Sequence, residues 1–160
     1  AALIKYGRFF DGARIGIALY GVNPVSGDKT PLLPVMTFRA AVIAINTVKK
    51  GDFIGYSRGY RAKKDMRVAI ISTGYADGLP RALSNKGMIF CNGQFLKIVG
   101  KVSMDSVAVD AGDADVKIMD EVVVFGDEIT VTDVANRADT LPYEILTGVS
   151  ERVKRVYKNP

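Results

Sequence analysis

Asn92–Gly93, set between the apolar runs Gly87–Cys91 and Gln94–Val99, constrains the fold of this chain more than any other feature. An Asn-Gly pair supplies the two left-handed residues of a tight turn, so the flanking runs read as an antiparallel hairpin. The same texture extends on both sides. Met36–Val48, Phe53–Tyr56, Val68–Thr73, Val107–Asp110 and Glu121–Gly126 are short runs rich in β-branched and aromatic residues, and turn residues such as Lys49–Lys50–Gly51–Asp52 separate them. Turn signals recurring about every eight to twelve residues point to an all-β barrel or sandwich. Two short helices are expected late in the chain. Thr132 would cap one running through Arg137, and Thr140 would cap another with Pro142 in its first turn. The closing Arg152–Tyr157 alternates basic and apolar residues like a half-exposed strand.

The leading residues have a different character. Residues 1–10 read as a short helix, Arg14–Tyr20 as a strand, and Gly21–Val22–Asn23–Pro24 as a turn. Residues 21–34 hold three prolines, two glycines and an asparagine, the composition of a linker. Ala1–Ala2–Leu3–Ile4 runs into apolar sequence with no cap or charged lead-in, so the expectation is a cut through a larger protein.

With 160 residues, 48% of them hydrophobic, the chain can bury a core of its own. Its apolar runs fall short of the roughly 18 residues a membrane helix needs, and no leader pattern is recognised. The one cysteine, Cys91, rules out an internal disulfide and suits a reducing cytoplasm. A net charge of +5 comes from scattered lysines and arginines, which gives nucleic-acid binding little weight. Histidine is absent, so proton transfer near neutral pH must use another side chain.

Gly74–Tyr75–Ala76–Asp77–Gly78–Leu79–Pro80–Arg81 is the stretch where chemistry is expected. It breaks the strand before it and leaves Tyr75, Asp77 and Arg81 on a tight polar loop at the end of a rigid element. Upstream lies Tyr56–Ser57; downstream come Val99–Gly100–Lys101–Val102–Ser103–Met104–Asp105, Leu141–Pro142–Tyr143–Glu144 and Arg152–Tyr157. In this order and spacing, the five motifs resemble the carboxy-terminal part of bacterial alanine racemases, homodimers that use pyridoxal phosphate (PLP). The resemblance covers almost the whole chain. It implies a carboxy-terminal β-barrel-like domain over residues 36–160, a linker over 24–35, and over 1–23 the remnant of a PLP-binding β/α (TIM) barrel.

The resemblance also assigns roles. Taken alone, Tyr56 is either a half-buried sheet tyrosine or an acid/base. A free phenol titrates near about 10, so its anion would need nearby positive charge, and Arg58 and Arg61 are close in sequence. By resemblance it is the catalytic tyrosine, exchanging the substrate's α-proton on one face while a lysine serves the other. Arg14 matches an arginine facing the pyridine nitrogen of PLP, although Ile15 follows it where the family often has proline; taken alone, it could equally be a salt-bridge partner at a strand start. Gly16 and Ile17 match backbone N–H groups that hold the cofactor phosphate, and Tyr143 matches a tyrosine that hydrogen-bonds that phosphate and crowds the substrate. Met104 matches a backbone N–H that binds the substrate carboxylate. Tyr75 and Arg81 match the substrate channel. Lys101 stands where arginine is commoner, keeping the charge but losing the bidentate fork.

No lysine here sits in the context of the family's PLP-anchoring lysine. The expected activity is therefore that of a part: interconversion of L- and D-alanine in the intact dimer, for cell-wall D-alanine, and none from this chain alone. No metal is expected. Two alternatives stand beside this reading, a serine racemase of the same family and a non-catalytic β-domain that mediates assembly. Because residues 1–23 would be cut from a barrel, Leu3, Ile4, Ile15, Ile17 and Leu19 are expected to lack cover.

Overall fold

The computed structural model describes residues 11, 12, 14–25, 27 and 30–158. The expected helix over residues 1–10, with Leu3 and Ile4, lies outside the described residues. Two compact units divide the chain, Ala1–Met36 and Thr37–Pro160.

Eight strands form in the second unit: β1 (Phe38–Val48), β2 (Phe53–Ile54), β3 (Tyr60–Arg61), β4 (Met66–Ile71), β5 (Met88–Cys91), β6 (Gln94–Ile98), β7 (Val107–Asp110) and β8 (Glu121–Phe125). Six of them close a barrel in the order β1-β4-β7-β6-β5-β8, every neighbouring pair antiparallel. The barrel-or-sandwich expectation therefore resolves to a barrel. Its interior follows from the two-residue repeat of a strand, which turns alternate side chains to one face. Ile89 and Cys91, Leu96 and Ile98, Val107 and Val109, and Val122 and Val124 are all buried, while their neighbours along each strand, except Phe125 at the end of β8, face outward or half outward. The hairpin is as expected. Cys91 pairs with Gln94, and Asn92 and Gly93 take φ of 46° and 80°, the left-handed pair the turn requires. Burial raises the Cys91 thiol above its ordinary pKa.

The long expected strand Met36–Val48 starts at Phe38 and carries an irregularity between Val42 and Ala44. A bulge there bends β1, so that its first half pairs with β8 and its second half with β4. The short pair β2–β3 lies outside the barrel ladder. Ile54, Ala62, Met66, Val68 and Val99 form a second apolar cluster, which seats this pair.

Two helices follow the barrel, α1 (Val131–Ala138) and α2 (Pro142–Gly148). The cap of α1 is Thr130, not the expected Thr132. Thr130 Oγ1 accepts the Asp133 N–H and Asp133 accepts the Thr130 N–H, a capping box that satisfies two otherwise orphaned donors. Thr130→Ala is expected to cost about 1 kcal/mol, read as a fall in Tm of about 2–4 °C. At α2 the N-cap is Leu141 rather than Thr140. Pro142 holds the first position, and the Thr140 hydroxyl instead donates to Glu144. Val131, Val134, Ala135 and Ala138 form the buried stripe of α1, which packs on a 3₁₀ turn over Arg81–Leu83.

Two of the expected strands do not form. Arg152–Tyr157 is not a strand: a turn at 151–153 leads into irregular chain, with Val156 69% and Tyr157 88% exposed. In the first unit, Arg14–Tyr20 is not a strand either, because Ile17–Tyr20 winds into a 3₁₀ turn. Gly21 closes that turn at φ 80° and donates back to Ala18, in a place where a Cβ would lie 2.4 Å from the Leu33 carbonyl oxygen. The expected lack of cover holds for Ile15 and Leu19, 48% and 58% exposed, but not for Ile17, which is buried. Among the described residues, no helix is long and apolar enough to cross a membrane.

Candidate active-site loops

Beyond Ile71, the end of β4, the chain makes the expected tight loop. The Asp77 carboxylate accepts the Gly74 N–H at 2.8 Å, while the Asp77 and Leu79 N–H groups donate to the Gly74 carbonyl. Leu79, 1% exposed, plugs the loop into the core. The loop lies directly against residues 103–105. Tyr75 N–H donates to the Ser103 carbonyl and Ala76 N–H to the Met104 carbonyl, both at 3.0 Å. Such an approach requires glycine at 74, where a Cβ would stand 2.3 Å from the Met104 oxygen and 2.4 Å from the Ser103 oxygen.

Arg152 locks the two loops together. Its Nε lies 2.8 Å from Asp77 and one terminal nitrogen 2.6 Å from Asp105. The hydrogen bond to Asp105, with the charge of Asp77 behind it, raises the Arg152 pKa further above its ordinary value. Tyr75 is half exposed, with the Arg81 guanidinium 5.8 Å from its ring centre, the range of a cation–π contact. Gly78, at φ 110°, meets the far end of α2: a Cβ there would stand 2.5 Å from the Gly148 oxygen. Ser150 N–H donates to the Asp77 carbonyl at the same place. Tyr143, near the start of α2, is 54% exposed.

Tyr56 opens a 3₁₀ turn, Tyr56–Arg58, between two glycines. Ser57 and Arg58 both take a φ of 53°, the left-handed region. Each such non-glycine residue costs on the order of 1–2 kcal/mol, strain of the kind that gathers at functional loops. The loop leans on Gly100 and Lys101. A Cβ on Gly59 would lie 2.9 Å from Lys101 Cγ, and one on Gly100 would lie 2.9 Å from the Ile54 oxygen. Arg58 and Arg61 stack at 5.0 and 5.8 Å over the Phe53 ring. Tyr56 itself is 72% exposed, its hydroxyl without a hydrogen-bond partner among the described residues.

One segment, residues 100–105, thus carries the Tyr56 loop at one end and the Tyr75 loop at the other. Met104 is on it, 52% exposed and on no strand. Tyr56, Tyr75, Arg81 and Met104 are brought together by these backbone contacts, and α2, which carries Tyr143, ends at the same loop. Arg14, Gly16 and Ile17 belong to the first unit. Arg14 and Gly16 are exposed, Gly16 immediately before the 3₁₀ turn that Ile17 begins.

A family model described as the alanine racemase C-terminal domain matches residues 35–157. The chain belongs to the alanine racemase C-terminal domain family. It is 39% identical to the alanine racemase of Halothermothrix orenii, over 99% of the chain and 44% of that protein. It is also 43% identical to a catabolic alanine racemase of Rhizobium johnstonii, over 91% of the chain and 40% of that protein. In structure it is similar to the alanine racemase of Bartonella henselae with covalently bound pyridoxal phosphate, with a TM-score of 0.86 and 42% identity over 89% of this chain and 40% of that one. For the Acinetobacter baumannii alanine racemase the TM-score is 0.86 and the identity 38%, over 94% and 44% of the two chains. The chain therefore spans less than half the length of these relatives.

Two residues of this family domain escape sequence reasoning. Asn85 bridges the Gly59 carbonyl and the Gly100 N–H, and Arg152 bridges Asp77 and Asp105. Both join segments far apart in the chain. An asparagine carries donor and acceptor on one amide and an arginine a fork of donors, yet neither residue type tells which loops it will join.

Proposed function

We propose that these residues are the carboxy-terminal part of an alanine racemase, a homodimer whose site is shared between subunits, with Tyr56 as the acid/base on one face of the substrate. Residues 1–23 belong in this reading to the end of the cofactor-binding barrel, 24–35 to the linker, and the remainder to the β-domain. The observation that carries it is the family match over residues 35–157, joined to an exposed Tyr56 whose loop rests on the segment that bears Met104 and meets the Tyr75 loop. The names of the racemases that the chain resembles support alanine as the substrate; a cytoplasmic enzyme serving cell-wall D-alanine is part of the same proposal.

The residues present fit a phosphate-bearing cofactor. Nothing lies within 4 Å of where a Cβ on Gly16 would stand, so an anion can approach that backbone. The first N–H groups of a helical turn, here those of Ile17 and Ala18, have no partner within the turn itself. Gly16 and Ile17 would hold the phosphate of PLP, and Arg14 would face the pyridine nitrogen; for Tyr143 the resemblance alone suggests a phosphate-bonding hydroxyl. PLP supplies an electron sink that makes the α-proton labile.

The protein must then carry a proton on each side of the α-carbon. Tyr56 holds or accepts it at the phenol oxygen on one side, and a lysine outside these 160 residues serves the other. The Met104 N–H would orient the substrate carboxylate, while Tyr75 and Arg81 line its way in. At the pyridine nitrogen the Arg14 guanidinium would donate a hydrogen bond and could accept none. Such an arrangement would restrain the sink and suppress side reactions such as transamination.

The test is turnover by the full-length protein with L-alanine and L-serine compared. Racemisation of alanine in preference to serine is expected, and the 160-residue chain mixed with PLP and L-alanine should produce no D-alanine. Preference for serine would reassign the substrate. Racemisation by the short chain would put both bases within it and overturn the shared-site reading.

A further inference from the structure

We infer that Asn85 is a positioning residue for Tyr56, its carboxamide tying the tyrosine loop to the segment that bears Lys101 and Met104. The inference rests on Tyr56 being the acid/base. Asn85 Nδ2 donates to the Gly59 carbonyl at 3.0 Å, and Asn85 Oδ1 accepts the Gly100 N–H at 2.7 Å. Only one orientation of the amide satisfies both, because a carbonyl needs a donor and an N–H an acceptor. Its neighbour Ser84 makes a parallel contact, Oγ accepting the Val102 N–H at 3.0 Å. Consecutive side chains thus grip residues 100–102 at two points, and Asn85 alone reaches across to the tyrosine loop.

That loop needs holding. Ser57 and Arg58 are both left-handed, a backbone that relaxes unless its surroundings over-determine it. The close approach of Gly55 and Gly59 to Lys101 resists compression but not withdrawal. The stacking of Arg58 on Phe53 restrains a side chain, not the backbone. The β2–β3 ladder beside the loop has only two residue pairs. Among the described residues, the Asn85–Gly59 bond is the one hydrogen bond that reaches residues 55–59 from elsewhere in the chain. Asn85 is itself left-handed, at φ 60°, a conformation that asparagine and glycine tolerate and most residues do not.

Two substitutions in the full-length holoenzyme separate the arms of the amide. Asn85→Gly removes the carboxamide while keeping the backbone conformation at ease. Asn85→Asp keeps an acceptor for Gly100 N–H but sets a carboxylate against the Gly59 carbonyl. Both are expected to raise hydrogen–deuterium exchange in a peptide covering residues 53–61 by about tenfold, with residues 131–138 unchanged. Turnover should fall by about 10- to 100-fold through misplacement of the phenol, with KM within about twofold of wild type. The α-deuterium isotope effect should rise in the one direction of racemisation in which Tyr56 removes the proton, and not in the other; a merely structural loosening would not tell the directions apart.

If Tyr56→Phe is inactive while Asn85→Gly keeps wild-type turnover and isotope effects, the Asn85 proposal falls and the Tyr56 reading stands. Isotope effects that rise equally in both directions, with faster exchange over residues 131–138 as well, also overturn it. A fully active Tyr56→Phe enzyme removes the reading beneath the proposal, and the proposal with it.

Discussion

Tyr56→Phe in the full-length protein is expected to lower kcat by about 10²–10⁴-fold, the usual contribution of a positioned proton-transfer group, while PLP remains bound. The substitution removes one oxygen. That oxygen has no hydrogen-bond partner among the described residues, and the ring is 72% exposed, so no packing or buried polar contact is lost with it. Stability should change by no more than about 0.5 kcal/mol, the ordinary range for surface substitutions. The split between an unchanged Tm and a collapsed kcat makes the result diagnostic. Had Tyr56 only a structural role, both would move together or neither would. Loss of turnover with cofactor binding intact also separates the racemase reading from a β-domain that serves assembly alone, which needs no hydroxyl at this position. A Tyr56→Phe enzyme with wild-type kcat would remove the catalytic assignment altogether.

What was legible in the sequence was local. The Asn92–Gly93 turn and β7, Val107–Asp110, appear where the residues imply, because a turn dipeptide and an alternating run act over a few positions. Arg14–Tyr20 misled because its apolar content suits a strand, whereas Gly16 and Gly21 permit a tight 3₁₀ turn between them. The tail misled for another reason. Arg152–Tyr157 alternates as a strand should, but β1 pairs with β8 and closes the barrel, leaving that ladder no free edge for it to join. The cap of α1, expected at Thr132, lies two residues earlier at Thr130, the usual uncertainty of a helix end. The candidate site was visible as motifs but not as an arrangement. Nothing in Gly74 or Gly100 says which backbone will come within contact of it. The bridges of Asn85 and Arg152 span 15 to 75 residues and exist only once the barrel has brought the loops together.

Among the described glycines outside the left-handed region, Gly74 should be the one where a change to alanine does most damage. Gly74 is not in the left-handed region, so the effect is one of space alone. The new Cβ would stand 2.3 Å from the Met104 oxygen and 2.4 Å from the Ser103 oxygen, and both atoms are backbone, with no rotamer to swing aside. One loop must therefore withdraw from the other. Withdrawal strains or breaks the bonds from Tyr75 N–H to Ser103 and from Ala76 N–H to Met104, and it pulls on the Arg152 bridge between Asp77 and Asp105. Overpacking costs about 1–3 kcal/mol and each hydrogen bond lost about 0.5–1.5 kcal/mol. With both bonds lost, a destabilisation of about 2–6 kcal/mol follows, a fall in Tm of about 4–24 °C for a chain of this size. Gly148→Ala is the control: nothing lies within 4 Å of its Cβ position, so Tm should hold to within a degree or two. In the full-length enzyme, Gly74→Ala should also cost turnover below its new Tm, since Tyr75 and Met104 are positioned by the contact it breaks. A Gly74→Ala protein that melts with the Gly148→Ala control would show that the two loops do not meet, and the common support for Tyr56, Tyr75 and Met104 would go with them.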